Sequence, residues 1–331
     1  MKVLNPVIDG CIFMDADFEG ISKGIMKSKV DTFFLTMNSF AGYGETVKSI
    51  TKIYKFVEDE PNIRVARTYN EIIENSDQGK KSLILTFQEP YPIGNSLNNL
   101  RTFYEMGVRV VQLTYNKSNY IGSGCTETNG GGLTDFGSEV VLEMNKLGML
   151  VDLSHCNELT AREAIKTSEK PVVFSHGNAS SVTENPRNKS DELIELVAKT
   201  GGVIGLTPWA PLCWNKNEIK QPALDDYLNH VEYVINLVGI DHVGFGSDVK
   251  ILDTPSIEGA QTQATFYPEV VGGYYGKVGM DREISHAKDF KGAKEIDNVI
   301  ESLLKRGYSE TDVNKFLGGN FLRVLENVIG K

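Results

Sequence analysis

Two stretches of the chain share one pattern, an apolar run that ends in Ser-His. Leu150–Leu153 leads into Ser154-His155, and Val172–Phe174 leads into Ser175-His176. Neutral imidazole is a preferred ligand for zinc and similar ions, and a carboxylate can complete such a site. A third run, Val243–Phe245, ends in Gly246-Ser247-Asp248. Asp248 there can bind metal or act as general base toward a metal-bound water; as a purely local device it would cap a helix. The run Ser82–Phe87 ends in Gln88-Glu89, Val108–Thr114 ends in Tyr115-Asn116, and Val7–Ile12 contains Asp9-Gly10-Cys11. Arg187 follows Pro186 in the long segment after His176. Its guanidinium could clamp a substrate carboxylate bidentately, or it could be a surface arginine. His230 and His242 read as structural, and the polar segment around His286 assigns that residue no role.

These residues need elements to hold them. The runs Val7–Ile12, Thr32–Met37, Ser82–Phe87, Val108–Thr114, Leu150–Leu153, Val172–Phe174, Val203–Leu206 and Val243–Phe245 are mostly continuous rather than alternating, which suits parallel strands covered on both faces. Between and after them lie helical stretches. Leu97–Met106 follows the candidate caps Asn95 and Ser96, and Phe136–Leu147 is closed by Gly148. Glu158–Thr167, Asp191–Thr200, Leu224–Val238, Lys294–Arg306 and Glu310–Ile329 complete the set. About eight β-then-α units with no linker predict a single (β/α)8 TIM barrel over residues 1–331, with extra C-terminal helices. An open doubly wound sheet is the alternative. It is weakened by the single glycine in the Asp9–Met14 stretch, where such folds carry a Gly-rich phosphate loop. The Gly130-Gly131-Gly132 run reads as a flexible loop, with a phosphate cradle as the weaker alternative. Barrel chemistry sits at the C-terminal ends of strands, so the two histidines, Asp248 and Gln88 or Glu89 are expected on one rim. His155 and His176, from consecutive units, would be close enough to share one ion.

Composition narrows the function classes. The 331 residues carry 34 Lys and Arg against 44 Asp and Glu, a formal net charge of −10. That field attracts neither nucleic acid nor an anionic membrane surface. With 40% hydrophobic and 24% charged residues this is an ordinary globular chain. No apolar run approaches the roughly 20 residues a bilayer span needs. The N-terminal MKVLNPVIDG lacks the apolar core of a signal peptide, so a cytoplasmic location is expected. The four cysteines are scattered, with no Cys-x-x-Cys pair, and are expected to be reduced.

Longer stretches extend the reading. Leu97-Asn98-Asn99-Leu100-Arg101, Gly107-Val108-Arg109, Gly131-Gly132-Leu133-Thr134-Asp135-Phe136-Gly137 and Gly148–His155 follow one another. Then come Ser175-His176-Gly177-Asn178-Ala179, Asn185-Pro186-Arg187-Asn188, Gly239–Asp248 and Gly318–Val324. In this order they resemble the membrane (renal) dipeptidases, peptidase family M19, which sit on a metal-dependent amidohydrolase-type barrel. The resemblance implies two zinc ions held by an Asp-Gly-His-x-Asp motif, a bridging Glu and two histidines. It maps the two histidines onto His155 and His176, the substrate-carboxylate arginine onto Arg187, and the acid working on metal-bound water onto Asp248. The departures are local. Cys11 and Phe13 replace the His and second Asp of the first motif, Gln88 stands at the bridging Glu, and Tyr115 stands at a substrate-binding His. Cys11, Asp15 and Glu89 are the candidates to replace lost ligands. Phe13 leaves Cys11 no second partner on its own strand, and Glu89, one place on, turns to the opposite face.

The implied protein is a metallohydrolase with one divalent ion, expected to be zinc. The ion would be held by His155 and His176 with help from Gln88. Its small-molecule substrate would be a dipeptide or an amino-acid-derived amide with a free carboxylate. The alternatives are a non-hydrolytic ligand-binding relative, or a lyase or isomerase on the same barrel. The family commonly dimerises, and the loop carrying Trp209 and Trp214 is expected to cap a pocket or an interface.

Overall fold

The apolar runs become strands of one parallel sheet. In the computed structural model, which describes residues 5–13, 18–37, 40–250, 258–280, 284–290 and 292–331, the strands are β1 (Ile8–Phe13), β2 (Thr32–Thr36), β3 (Ile63–Val65), β4 (Lys81–Phe87) and β5 (Val108–Gln112), then β6 (Leu150–Asp152), β7 (Val172–Gly177), β8 (Val203–Leu206), β9 (Val243–Phe245) and β10 (Val249–Lys250). The helices are α1 (Phe18–Lys27), α2 (Tyr43–Asp59), α3 (Tyr69–Asp77), α4 (Leu97–Glu105), α5 (Asp135–Leu147), α6 (Glu158–Thr167) and α7 (Asp191–Lys199). They continue as α8 (Ala210–Cys213), α9 (Leu224–Val238), α10 (Glu258–Phe266), α11 (Pro268–Val278), α12 (Ile296–Lys305), α13 (Glu310–Asn314) and α14 (Asn320–Ile329).

The strand order is β10-β1-β2-β4-β5-β6-β7-β8-β9, with β3 set beside the lower part of β4. Its two ends are one stretch of chain: Val243–Phe245 pairs with β8, and three residues later Val249–Lys250 pairs with β1. The sheet therefore closes on itself as the expected TIM barrel, and closure leaves no bare edge. Asp9 fastens the seam, accepting hydrogen bonds from Ser247 N at 2.7 Å and Ser247 Oγ at 2.5 Å.

Alternation along the strands divides the core in two. Phe33, Leu35, Leu83, Leu85, Val111, Val151, Val172, Phe174 and Ile204 face the helices. Ile8, Phe34, Ile84, Val110, Leu150, Val173 and Val203 form a second cluster inside the ring, and α14 plugs its lower end with Phe321, Leu322 and Leu325. Phe34 and Phe321 meet edge to face, centroids 5.4 Å apart. Higher up, the register of β7 against β8 shifts after Phe174, which carries the Ser175 carbonyl inward. A Cβ on Gly205 or Gly246 would lie 2.1 Å from that oxygen, so only glycine fits on the neighbouring strands.

Several expectations are refined or corrected here. The tail expected to be helical over Glu310–Ile329 is helical throughout, but it contains a π-helical segment, Lys315–Gly319, where Gly318 packs directly on the Pro6 carbonyl. Ser96 sits at the start of α4 without a side-chain capping bond. The triglycine run is neither loose nor a phosphate cradle: Glu163 fills the space beside Gly132 and accepts from Leu133 N, and Asn157 Nδ2 donates to the Gly131 carbonyl. Trp214, with the partly buried Trp209 against it, packs with α8 and α11 in a third apolar cluster. The four cysteines are unpaired in disulfides. Among the described residues no helix is long and apolar enough to cross a membrane.

Candidate metal centre

The inward positions that are apolar low in the barrel are polar higher up. Two residues beyond Ile84 comes Thr86 and then Gln88; beyond Val110, Gln112; beyond Leu150, Asp152; beyond Val173, Ser175; all five are buried. Asp152 accepts from Ser154 Oγ and Ser175 Oγ, each at 2.5 Å, and from Ser154 N and Ser175 N. Ser175 Oγ, its proton committed to Asp152, accepts from His176 Nδ1–H at 2.8 Å. His155 Nδ1–H donates to Asn116 Oδ1 at 2.7 Å. The Asn116 oxygen also accepts from Cys125 Sγ, which fixes its orientation.

Both Nδ1 protons are thus accounted for, and each imidazole is left with a bare Nε2 lone pair. The two Nε2 atoms face each other 3.0 Å apart. Burial first, and the Arg187 charge second, hold both histidines well below the usual imidazole range, so both are neutral at pH 7. Two facing lone pairs in a dry site repel unless a cation lies between them. Nitrogens bound to one tetrahedral zinc sit roughly 3.4 Å apart. The donor set, with its outer hydrogen bonds already in place, fits a divalent ion.

Asp248 closes the other side. Its backbone takes a left-handed conformation, φ 55°, uncommon for a residue with a Cβ and typical of strained functional positions. Its N–H donates to the Cys11 carbonyl at 2.9 Å, and its Oδ1 lies 3.7 Å from Cys11 Sγ. Burial raises its carboxyl to about 6, opposed chiefly by the charge of Arg187. Cys11, His176 and Asp248 place one donor atom each within 4.8 Å of one another. Gln88, expected among the ligands, directs its amide N–H to Cys11 Sγ at 2.8 Å. Burial, then the Asp248 and Asp9 carboxylates, push the Cys11 thiol well above its ordinary value, so the sulfur stays protonated unless a cation is present.

Arg187 is buried, 1% exposed, and is no surface arginine. Its guanidinium donates to the carbonyls of Ser154 and His176, the latter at 3.2 Å, and no carboxylate pairs with it among the described residues. Tyr115 stacks on His155 with centroids 4.2 Å apart, its hydroxyl accepting from Gln263 Nε2 of α10 at 3.0 Å. Phe40 and Tyr267 meet the Tyr115 ring edge-on. Glu89 points away from the cluster and accepts from Tyr115 N and Asn119 Nδ2. Asp15 lies outside the described residues. His230 is buried between Ala179 N and Thr183 Oγ1, and His242 Nδ1 lies 3.0 Å from the Gly202 carbonyl.

Sequence reasoning passed over three groups that the fold brings in. Asn116 ends an apolar run and was visible as a polar strand end. The Asp152–Ser175 relay and the buried Lys189, which donates to the Cys156 carbonyl at 3.0 Å and is lowered to about 8 mainly by burial, show no signal in the sequence.

The chain matches known proteins in sequence and in fold. The model of the membrane dipeptidase family, peptidase family M19, matches residues 14–270 and 253–329. The dipeptidase verJ of Clonostachys rogersoniana is 30% identical over 86% of this chain, and the dipeptidase aclJ of Aspergillus oryzae is 30% identical over 86%. The chain spans 65% and 61% of the length of those two relatives. An amidohydrolase from Pseudomonas aeruginosa superposes with a TM-score of 0.86 at 32% identity, covering 99% of this chain and 97% of its own. The ordered motifs, the closed barrel and the family match lead to one conclusion, with a divalent metal ion implied by it: the chain belongs to the membrane dipeptidase family, peptidase family M19.

Proposed function

We propose that this chain hydrolyses the amide bond of a dipeptide, or of a small amino-acid-derived amide with a free carboxylate, using a single zinc ion, and that residues 1–331 work as one barrel. The observation that carries the reading is the pair of bare Nε2 atoms 3.0 Å apart, with Asp248 beside His176 and a buried guanidinium that no carboxylate among the described residues pairs with. A bound zinc ion polarises a scissile carbonyl and lowers the pKa of a coordinated water.

The chain's own residues do the rest. His155 and His176 hold the ion, their tautomers set by Asn116 and by the Ser175–Asp152 relay. Asp248, raised toward neutrality by burial, accepts a proton at Oδ and returns it to the leaving amine. Arg187 pairs with the substrate carboxylate, which balances a charge that the fold leaves uncompensated. The Tyr115 ring walls the pocket over His155. One ion rather than two follows from Phe13 and Gln88, which remove the carboxylates that would screen two adjacent cations.

The test is metal analysis of protein purified without added metal, followed by assay of matched dipeptides and their C-terminal amides. The expected result is about one zinc per chain and a preference for the free acid. Arg187→Ala should erase that preference at about tenfold or more, the worth of a charge-assisted pair. Two zinc equivalents, or equal turnover of acid and amide by the unmodified protein, would overturn the reading.

A further inference from the structure

We propose that Cys11 is a sulfur ligand of the ion, so that the centre is a thiolate–imidazole site; this rests on the metal-dependent reading above. The strand that carries Cys11 offers it no second donor, since Phe13 stands where one would be. The barrel seam supplies partners from elsewhere. Asp248 N bonds to the Cys11 carbonyl across β1 and the β9–β10 stretch, and His176 comes in from β7. Cys11, His176 and Asp248 then present sulfur, nitrogen and oxygen within 4.8 Å of one another. Cys11 Sγ donates to Asp248 Oδ1 at 3.7 Å, so the carboxylate assigned the proton-accepting role also lies next to the thiol hydrogen that binding of a cation would release.

Gln88 makes the assignment coherent. A carboxylate at this place would put a second anion 2.8 Å from a thiolate; the amide instead aims an N–H at the sulfur. That contact orients the ligand and favours its anionic form, the role an outer partner plays at a metal. The two departures at residues 11 and 88 therefore act as one change. A bridging, all-oxygen-and-nitrogen pair of subsites gives way to one site whose soft ligand selects zinc or cobalt over magnesium and manganese.

The experiment loads the full chain with Co(II) and records its absorption spectrum, with Zn(II) affinity measured by chelator competition. The wild type should show a near-ultraviolet thiolate-to-cobalt charge-transfer band. Cys11→Ser should lose the band and lose more zinc affinity than the roughly 10–100-fold typical of an outer-partner mutation. Cys11→His should bind cobalt without the band. Cys125→Ser, which removes the other thiol beside the histidines, should keep it. Cobalt bound to the wild type without a thiolate band, or a band that depends on Cys125, overturns the assignment of Cys11 and leaves the one-metal hydrolase standing. No cobalt bound at all overturns both.

Discussion

The lower and upper halves of the barrel interior are built largely by the same strands, yet they are opposites. Below, Ile8, Phe34, Ile84, Val110, Val173 and Val203 close around Phe321 with no polar group among them. Above, Gln88, Gln112, Asp152, Ser175, His155 and His176 are just as buried but polar throughout. The lower half follows the rule of dense apolar packing. In the upper half, buried polar groups are tolerated because nearly all are hydrogen-bonded, Gln112 Oε1 being an exception, and the two facing Nε2 atoms are the ones a metal would take. Stability and chemistry are separated along one axis, a few residues apart on each strand.

Three substitutions would break or sharpen that contrast. Phe321→Ala opens a cavity in the plug and should cost about 3–5 kcal/mol of unfolding free energy, read by urea denaturation. Zinc stoichiometry at saturating metal should not change. A parallel loss of metal from the folded protein would mean the two halves are not separate.

Asn116→Ala acts on the upper half alone. It frees the His155 ring from its only Nδ1 partner among the described residues, and zinc affinity should fall about 10–100-fold. The metal-free protein should lose about 1 kcal/mol, the ordinary worth of a buried hydrogen bond. Unchanged affinity would show that the tautomer of His155 is not set by this contact.

The smallest effect concerns a histidine that belongs to neither half. His230, on α9, is held neutral by burial, its pKa lowered to about 3. Its folded value lies below its unfolded value near 6.5, so its contribution is complete above that pH and is lost as pH falls toward 3. Between pH 7.5 and 5 the wild type should lose up to about 2 kcal/mol from this group, a slope that His230→Gln lacks. Parallel pH profiles for the two proteins would sink the idea that this imidazole is structural.

The eight strands of the ring were legible because each is a short apolar run bounded by polar residues, and burial on both faces demands that pattern. The helix α9 was read to the residue, with Gly239 as its stop. The elements not foreseen include the amphipathic helix α2, whose buried Ile50, Ile53 and Phe56 carried a readable period, and several short elements without any such signature. β3 is three residues long, β10 two and α8 four, too short to carry a period. At the site, Glu89 was correctly turned away by parity alone, because a shift of one residue reverses the face of a strand. Cys11 has no second partner on its own strand, and the groups it meets, His176 and Asp248, lie 165 and 237 residues further along the chain, beyond what local spacing can read.

What the amino-acid order determined by itself is therefore local and periodic: eight strands, most of the helices, the rim on which polar residues end, and the ordered motifs that mark the family. Those follow from burial patterns a few residues long. Only the tertiary structure decided which polar residues meet. Closure of the barrel at residues 243–250 brings Asp248 over Cys11. The inward shift of β7 turns His176 toward His155. The Ser175–Asp152 relay then leaves its Nε2 bare. Hydrogen bonds and ligand fields act over a few ångströms of space whatever the distance along the chain, so a site of this kind exists only once the ring has closed.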